Sequence, residues 1–192
     1  MWLGVSWGNK PWKDERIEYM QEVEDELSNK YKINTFMVKA APGQSFAKQT
    51  LEGLQGMVVM VAFCSSQYGE KTGVGYETFE ELKYAHENQI PIIPVRLCHV
   101  YPPQPQKEAK GKECPCCYTP RPERDDWGCG QNDLVLNKSL VYIDGMTAEG
   151  KYIPSKDLAR KIHASLSKND FIREVSTSFE GDACHMCTSC TI

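Results

Sequence analysis

Three carboxylates stand within five residues in the stretch Tyr76-Glu77-Thr78-Phe79-Glu80-Glu81-Leu82. On a helix of about 100° per residue Phe79 and Leu82 share one face, while Glu77 and Glu81, four apart, stack one turn apart on another. Acids so arranged have two uses: a solvated helix face, or a carboxylate at the mouth of a cleft acting on a ligand. The ends of three apolar runs add hydroxyls, an indole, amides and a lysine, in Ser6-Trp7-Gly8-Asn9, Lys39-Ala40-Ala41-Pro42-Gly43-Gln44-Ser45 and Ser65-Ser66-Gln67-Tyr68.

What these ends lack excludes other chemistries. A receiver-type phosphoacceptor needs acids after the first strand and an Asp after the third, where this chain has Ser6-Trp7 and Cys64-Ser65. No Gly-x4-Gly-Lys-Ser/Thr phosphate loop occurs. Gly73-Val74-Gly75 reads as a flexible turn rather than an anion cradle. A Ser or Cys nucleophile needs a histidine in the cleft, and His86 falls late in the helix that carries the acids.

Five strand-length apolar runs position these groups: Leu3 to Trp7, Ile33 to Val38, Met57 to Cys64, Ile90 to Leu97, and Leu140 to Ile143. Several are continuous rather than alternating, as strands covered on both faces require. Helical spacing fills the gaps, in Ile17, Met20, Val23 and Leu27, then Phe46, Thr50, Leu51 and Leu54, then Phe79, Leu82 and Ala85, and finally Leu158, Ile162 and Leu166. The last of these helices starts at Pro154-Ser155, where Ser155 is the expected cap. Strand and helix alternation predicts an α/β fold, a flavodoxin-like doubly wound sheet of five parallel strands, with ligands at the carboxyl ends between the first and third strands. Residues 1–168 form that domain. Within it a Cys/Pro-rich insertion, residues 99–138, precedes the last strand and is expected to be loop that decorates the core. Residues 169–192 are expected to be a flexible Cys-rich tail unless a metal or partner orders them.

Nine cysteines are an odd number, and most lie in two groups: Cys114, Cys116, Cys117 and Cys129, then Cys184, Cys187 and Cys190. No charged start with an apolar stretch and cleavage site precedes the fold, so thiols or metal ligands are a better reading than a disulfide framework, and the cytoplasm is the expected compartment. Cys184-His185-x-Cys187-x2-Cys190 is too tightly packed to close one zinc tetrahedron, so a structural zinc there would be shared with the first group. Redox-active or acylated thiols and unliganded segments stand beside it as readings.

Composition narrows the partners. The 192 residues are 41% hydrophobic and 25% charged, enough for a real core. A net charge of -4 without a basic block gives no footing for nucleic acid. The longest apolar run, residues 57–64, is far below the ~20 residues of a spanning helix. A small molecule or another protein is the expected partner.

Several segments together resemble the Toll/interleukin receptor (TIR) domain family. Gly4-Val5-Ser6-Trp7 is similar to the family's first strand, and Thr35-Phe36 with Pro42-Gly43-Gln44-Ser45-Phe46 to its second strand and BB loop. Val58-Val59-Met60-Val61 with Ser65-Ser66-Gln67-Tyr68 is similar to its third strand and Ser-x-x-Tyr, and Glu81-Leu82 followed by Ile92-Ile93-Pro94-Val95 completes the series. The likeness covers residues 1–98 well and 139–167 loosely.

The resemblance implies one of two roles. TIR enzymes cleave NAD or NADP at the nicotinamide-ribose bond, as glycohydrolases or cyclases, often on self-association in immune-type signalling. Other members are non-catalytic adaptors that act by TIR–TIR contact. In the enzymes a glutamate in a Trp-x-x-x-Glu-Leu pattern carries the chemistry, and the Glu-Leu pair falls on Glu81-Leu82. The family's aromatic position is Glu77 here, with Tyr76 one place earlier, so a register slip would make Glu80 the catalytic acid. By the same carry-over Ser6, Trp7 and Ser65 line the nucleotide pocket; Lys39, near the BB loop by position, is a candidate to pair with phosphate, and Glu77 is a further substrate-binding candidate. NAD is a substrate in this reading, and no cofactor is implied.

Overall fold

The computed structural model describes residues 1–5, 15–38, 46–71, 77–107 and 123–169. In chain order the elements are β1 (Trp2–Val5), α1 (Glu15–Asn29), α2 (Phe46–Gln55), β2 (Met60–Cys64), α3 (Thr78–Glu87), β3 (Ile92–Arg96), β4 (Gln106–Lys107), β5 (Glu123–Arg124), α4 (Asp126–Val135), β6 (Ile143–Asp144) and α5 (Ser155–Lys168). β1, β2, β3 and β6 form a parallel sheet in that order, and β4 and β5 make a separate antiparallel pair.

Strand parity decides what each face carries. All five residues of β2 are buried, as its unbroken apolar run requires. Val61 and Phe63 face a layer containing Met20, Val23 and Leu27 of α1 and Leu158, Ile162 and Leu166 of α5. Met60, Ala62 and Cys64 face the opposite layer, with Leu54 of α2, Leu82 and Ala85 of α3, and Val135 of α4 followed by Leu136. Helices therefore cover both faces of the sheet, which is the doubly wound arrangement.

Of the five expected strands, four form among the described residues. The run from Ile33 to Val38 yields no strand. It touches the start of β1 through two backbone bonds, Phe36 N–H to the Met1 carbonyl at 2.9 Å and the Met1 ammonium to the Asn34 carbonyl at 2.9 Å. It lies at the sheet margin beside the start of β1, and Asn34 and Phe36 are exposed. The last strand is shortened to two residues because Val141, 87% exposed, has nothing to pack against. Pro154, not Ser155, occupies the cap position of α5, and Ser155 is its first helical residue.

The insertion is more than loop. Its residues 126–135 form α4, which buries Gly128, Cys129, Asn132 and Val135, so this segment is part of the core rather than a decoration on it. Glycine and asparagine give its sequence little helix propensity or apolar period. Tertiary contact demands both residue types. The Asn132 amide donates to the carbonyls of Tyr68 at 2.7 Å and Pro103 at 2.9 Å. A Cβ on Gly128 would collide with the Gly69 carbonyl, and Gly69 itself, at φ +81, leaves no room for a Cβ beside the Asn132 amide.

A two-residue pairing leaves β6 weakly held by backbone alone, and a side-chain clamp reinforces it. Arg96 grips Asp144 through both carboxylate oxygens, at 2.7 and 3.2 Å, and Tyr142 lies against the guanidinium 5.1 Å away. Burial opposes ionisation of Asp144, but hydrogen bonds from Arg96 and the Met146 N–H, with the Arg96 and Lys161 charges, hold its carboxyl below the ordinary value. A depressed folded value means that this stabilisation is present at neutral pH and is lost as pH falls through the acid range. Asp144→Asn is therefore expected to lower the urea midpoint at pH 7 and to converge with the wild type as pH falls below the depressed value of this carboxyl. The difference is small, because the carboxylate is 44% exposed. A gap that does not narrow in acid would contradict this role.

Candidate functional site at the carboxyl end of the sheet

β2 delivers its last residue, Cys64, to the carboxyl edge of the sheet, and the chain turns there through Ser65 to Gly69. The turn is joined to the next helix by the Gly69 N–H, which donates to Thr78 Oγ1 at 2.8 Å. Asp125 anchors it from the insertion. This carboxylate is fully buried and accepts the Lys71 N–H at 2.7 Å, so the start of α4 is tied to the loop after β2. The strand, the acid-bearing helix and the insertion therefore meet at one place.

α3 presents its three acids differently. Glu77 has extended backbone and precedes the helix as its cap residue, and its carbonyl accepts the N–H groups of Glu80 at 2.9 Å and Glu81 at 3.2 Å. Glu81 is buried to 4% exposure, on the side of α3 that carries Thr78 and Ala85. Glu77 and Glu81 thus do not stack on one solvated face, because the 100° rule begins only at the first helical residue. Glu80 is half-buried and turns toward α4.

Near Glu81 the polar groups are buried as well. The hydroxyls of Ser65 and Tyr68 have no hydrogen-bond partner among the described residues. Burial pushes the Tyr68 phenol far above its usual range, and the neighbouring Cys64, Glu81 and Tyr101 push it further, so it stays protonated. Burial likewise raises the Cys64 thiol, with Cys98 adding to the effect, and the thiol donates to the Ala62 carbonyl at 3.4 Å. A thiol so held is not a nucleophile. Cys98, raised by burial, donates to the Val100 carbonyl at 3.0 Å. His86 is exposed in the last turn of α3, away from these groups.

Of the site residues expected from sequence, Ser65 and Glu81 are both buried at this edge, and Glu77 stands just outside the helix. Ser6, Trp7 and Lys39 lie outside the described residues, as do Gly73 to Gly75 and the cysteines 114, 116, 117, 184, 187 and 190. Cys64, Cys98 and Cys129 are free thiols, and no group of three or more metal-ligating side chains occurs among the described residues. No helix among them is long and apolar enough to cross a membrane. Sequence reading missed Trp127, which α4 brings beside Phe79 and Glu80. The available signal was Asp125-Asp126, a pair of acids suited to a helix start, directly before it.

A doubly wound parallel sheet with acid and hydroxyls gathered at its carboxyl edge defines an α/β domain of the flavodoxin-like class. The sequence profile of the TIR domain matches residues 10–114, more than half of the chain, and the chain belongs to that family. No curated protein and no solved structure matches it. The matched segment ends before α4, β6 and α5, which nevertheless complete the same two layers.

Proposed function

We propose that this chain is a TIR-type NAD(P) glycohydrolase or cyclase that cleaves the nicotinamide-ribose bond, with Glu81 as its catalytic acid residue. The observation that carries this reading is the burial of Glu81, at 4% exposure, on the first turn of α3 beside the strand end that holds Ser65. The carboxyl ends of the strands are where ligands bind in doubly wound folds, so a buried carboxylate there is placed to act on a ligand. Cleavage of an N-glycosidic bond develops oxocarbenium-like positive charge on the ribose, and a nearby carboxylate in a low-dielectric site lowers that barrier. Nicotinamide departs as a neutral ring from its pyridinium form and needs no general acid.

Ser65 and Glu77 are the described candidates for contact with substrate, and Ser6, Trp7 and Lys39 join them by family likeness. Glu81 and Ser65 are shielded from solvent, so substrate entry requires the surrounding chain to move. That requirement suits an activity that rises on self-association. The adaptor reading is favoured by one observation: Glu77 stands where the family's enzymes carry an aromatic. In that reading residues 39–46 dock another TIR domain.

Nicotinamide release from NAD and NADP over a protein concentration series separates the two. The enzyme is expected to show release that grows more steeply than protein concentration. Folded protein that releases none at any concentration would leave the adaptor reading.

A further inference from the structure

The Lys71 ammonium lies 4.6 Å from the centroid of the Trp127 ring and 5.1 Å from that of Phe79. These rings come from different elements, Phe79 from α3 and Trp127 from α4, and between them is an open cleft of about 410 Å³. Trp127 is 67% exposed, an unusual exposure for an indole that is held beside a second ring. The cleft is also lined by the carboxylates of Glu80 and Asp126. Gly130 gives it an open floor, since a Cβ there would meet nothing within 4 Å.

Among the described residues the backbone of Lys71 is held by its N–H to Asp125 Oδ2 at 2.7 Å, and its side chain by the two rings. Its four-carbon stem leaves the ammonium free to swing off the rings into water. The second lysine of the cleft, Lys83, is engaged by Glu87 at 3.9 Å. Once Lys71 leaves, the aromatic faces and the Glu80 carboxylate remain, with Asp126 shared with Arg124 at 3.6 Å, an arrangement that attracts a weakly hydrated cation. The exposed indole face favours a flat ring over a tetrahedral ion, since a flat ring adds stacking to the charge attraction.

We propose that the α3–α4 cleft is a binding site for a small planar organic cation of the pyridinium class, which stacks on Trp127 and displaces the internal Lys71 ammonium. The site is separate from Glu81, and the proposal stands whether or not the chain cleaves NAD.

The test is a ligand-observed NMR titration with 1-methylpyridinium at constant ionic strength, with pyridine at pH 8 as the uncharged control. Wild-type protein is expected to bind the cation saturably in the millimolar range and pyridine at least about fivefold more weakly. Lys71→Met removes the internal competitor and is expected to tighten binding by about fivefold, whereas a lysine acting as a ligand-holding group would give the opposite sign. Trp127→Leu, at an exposed position and checked for an unchanged melting temperature, is expected to abolish saturable binding. Absence of saturation in both wild type and Lys71→Met overturns the proposal. So does equal binding of pyridine, weaker binding by Lys71→Met, or retained binding by Trp127→Leu.

Discussion

Glu81→Gln is expected to lower nicotinamide release from NAD by about 10²–10³-fold, measured at the protein concentration where the wild type is most active. Glutamine nearly keeps the volume of the buried glutamate, so the change isolates the charge. The charge matters because it faces a cation that exists only as the bond breaks, and water cannot screen it at a buried position. Glu80→Gln and Glu77→Gln serve as register controls and are expected to retain most activity. Glu80 turns to the α3–α4 cleft, and Glu77 stands outside the helix. Melting temperatures of all three variants separate loss of chemistry from loss of fold. Release unchanged by Glu81→Gln, or lost only in Glu80→Gln, would reject the assignment of Glu81.

Leu136→Ala is expected to cost about 2–5 kcal/mol of folding stability, the range for a fully buried leucine whose cavity cannot close. Leu136 has 0% exposure and packs in the layer formed by Leu82, Ala85 and Met60. Leu134, two residues earlier, is 61% exposed. Leu134→Ala should therefore stay within about 0.5 kcal/mol of the wild type. In thermal unfolding the contrast is large, at about 2–4 °C per kcal/mol for a chain of this size. An insertion that merely decorated the sheet would make both variants silent. Equal, small effects at 134 and 136 would remove α4 from the core.

These expectations differ in how much of them the sequence carried. The stretch from Met57 to Cys64 announced a strand buried on both faces, because parity and an unbroken apolar run are local properties of the chain. The α1 and α5 faces were equally readable from their helical period, and the Tyr76 to Leu82 stretch placed acids at the start of α3. The second expected strand failed because a segment at the sheet margin depends on its neighbours to pair, and the pattern in Ile33 to Val38 cannot say what those neighbours are. α4 escaped notice because its composition answers distant groups, with Gly128 chosen by the Gly69 carbonyl and Asn132 by the carbonyls of Tyr68 and Pro103.

The sequence by itself determined the doubly wound class and membership in the TIR family through residues 10–114. Only the tertiary structure decided which acid is withdrawn from water and which faces a cleft, that the insertion belongs to the core, and that Lys71 lies over both Trp127 and Phe79. The reason is the range of the forces involved. Periodicity records which side of an element turns inward, whereas burial of one carboxylate or the seating of a lysine on a ring depends on side chains more than 40 residues apart in sequence, as Lys71 and Trp127 are.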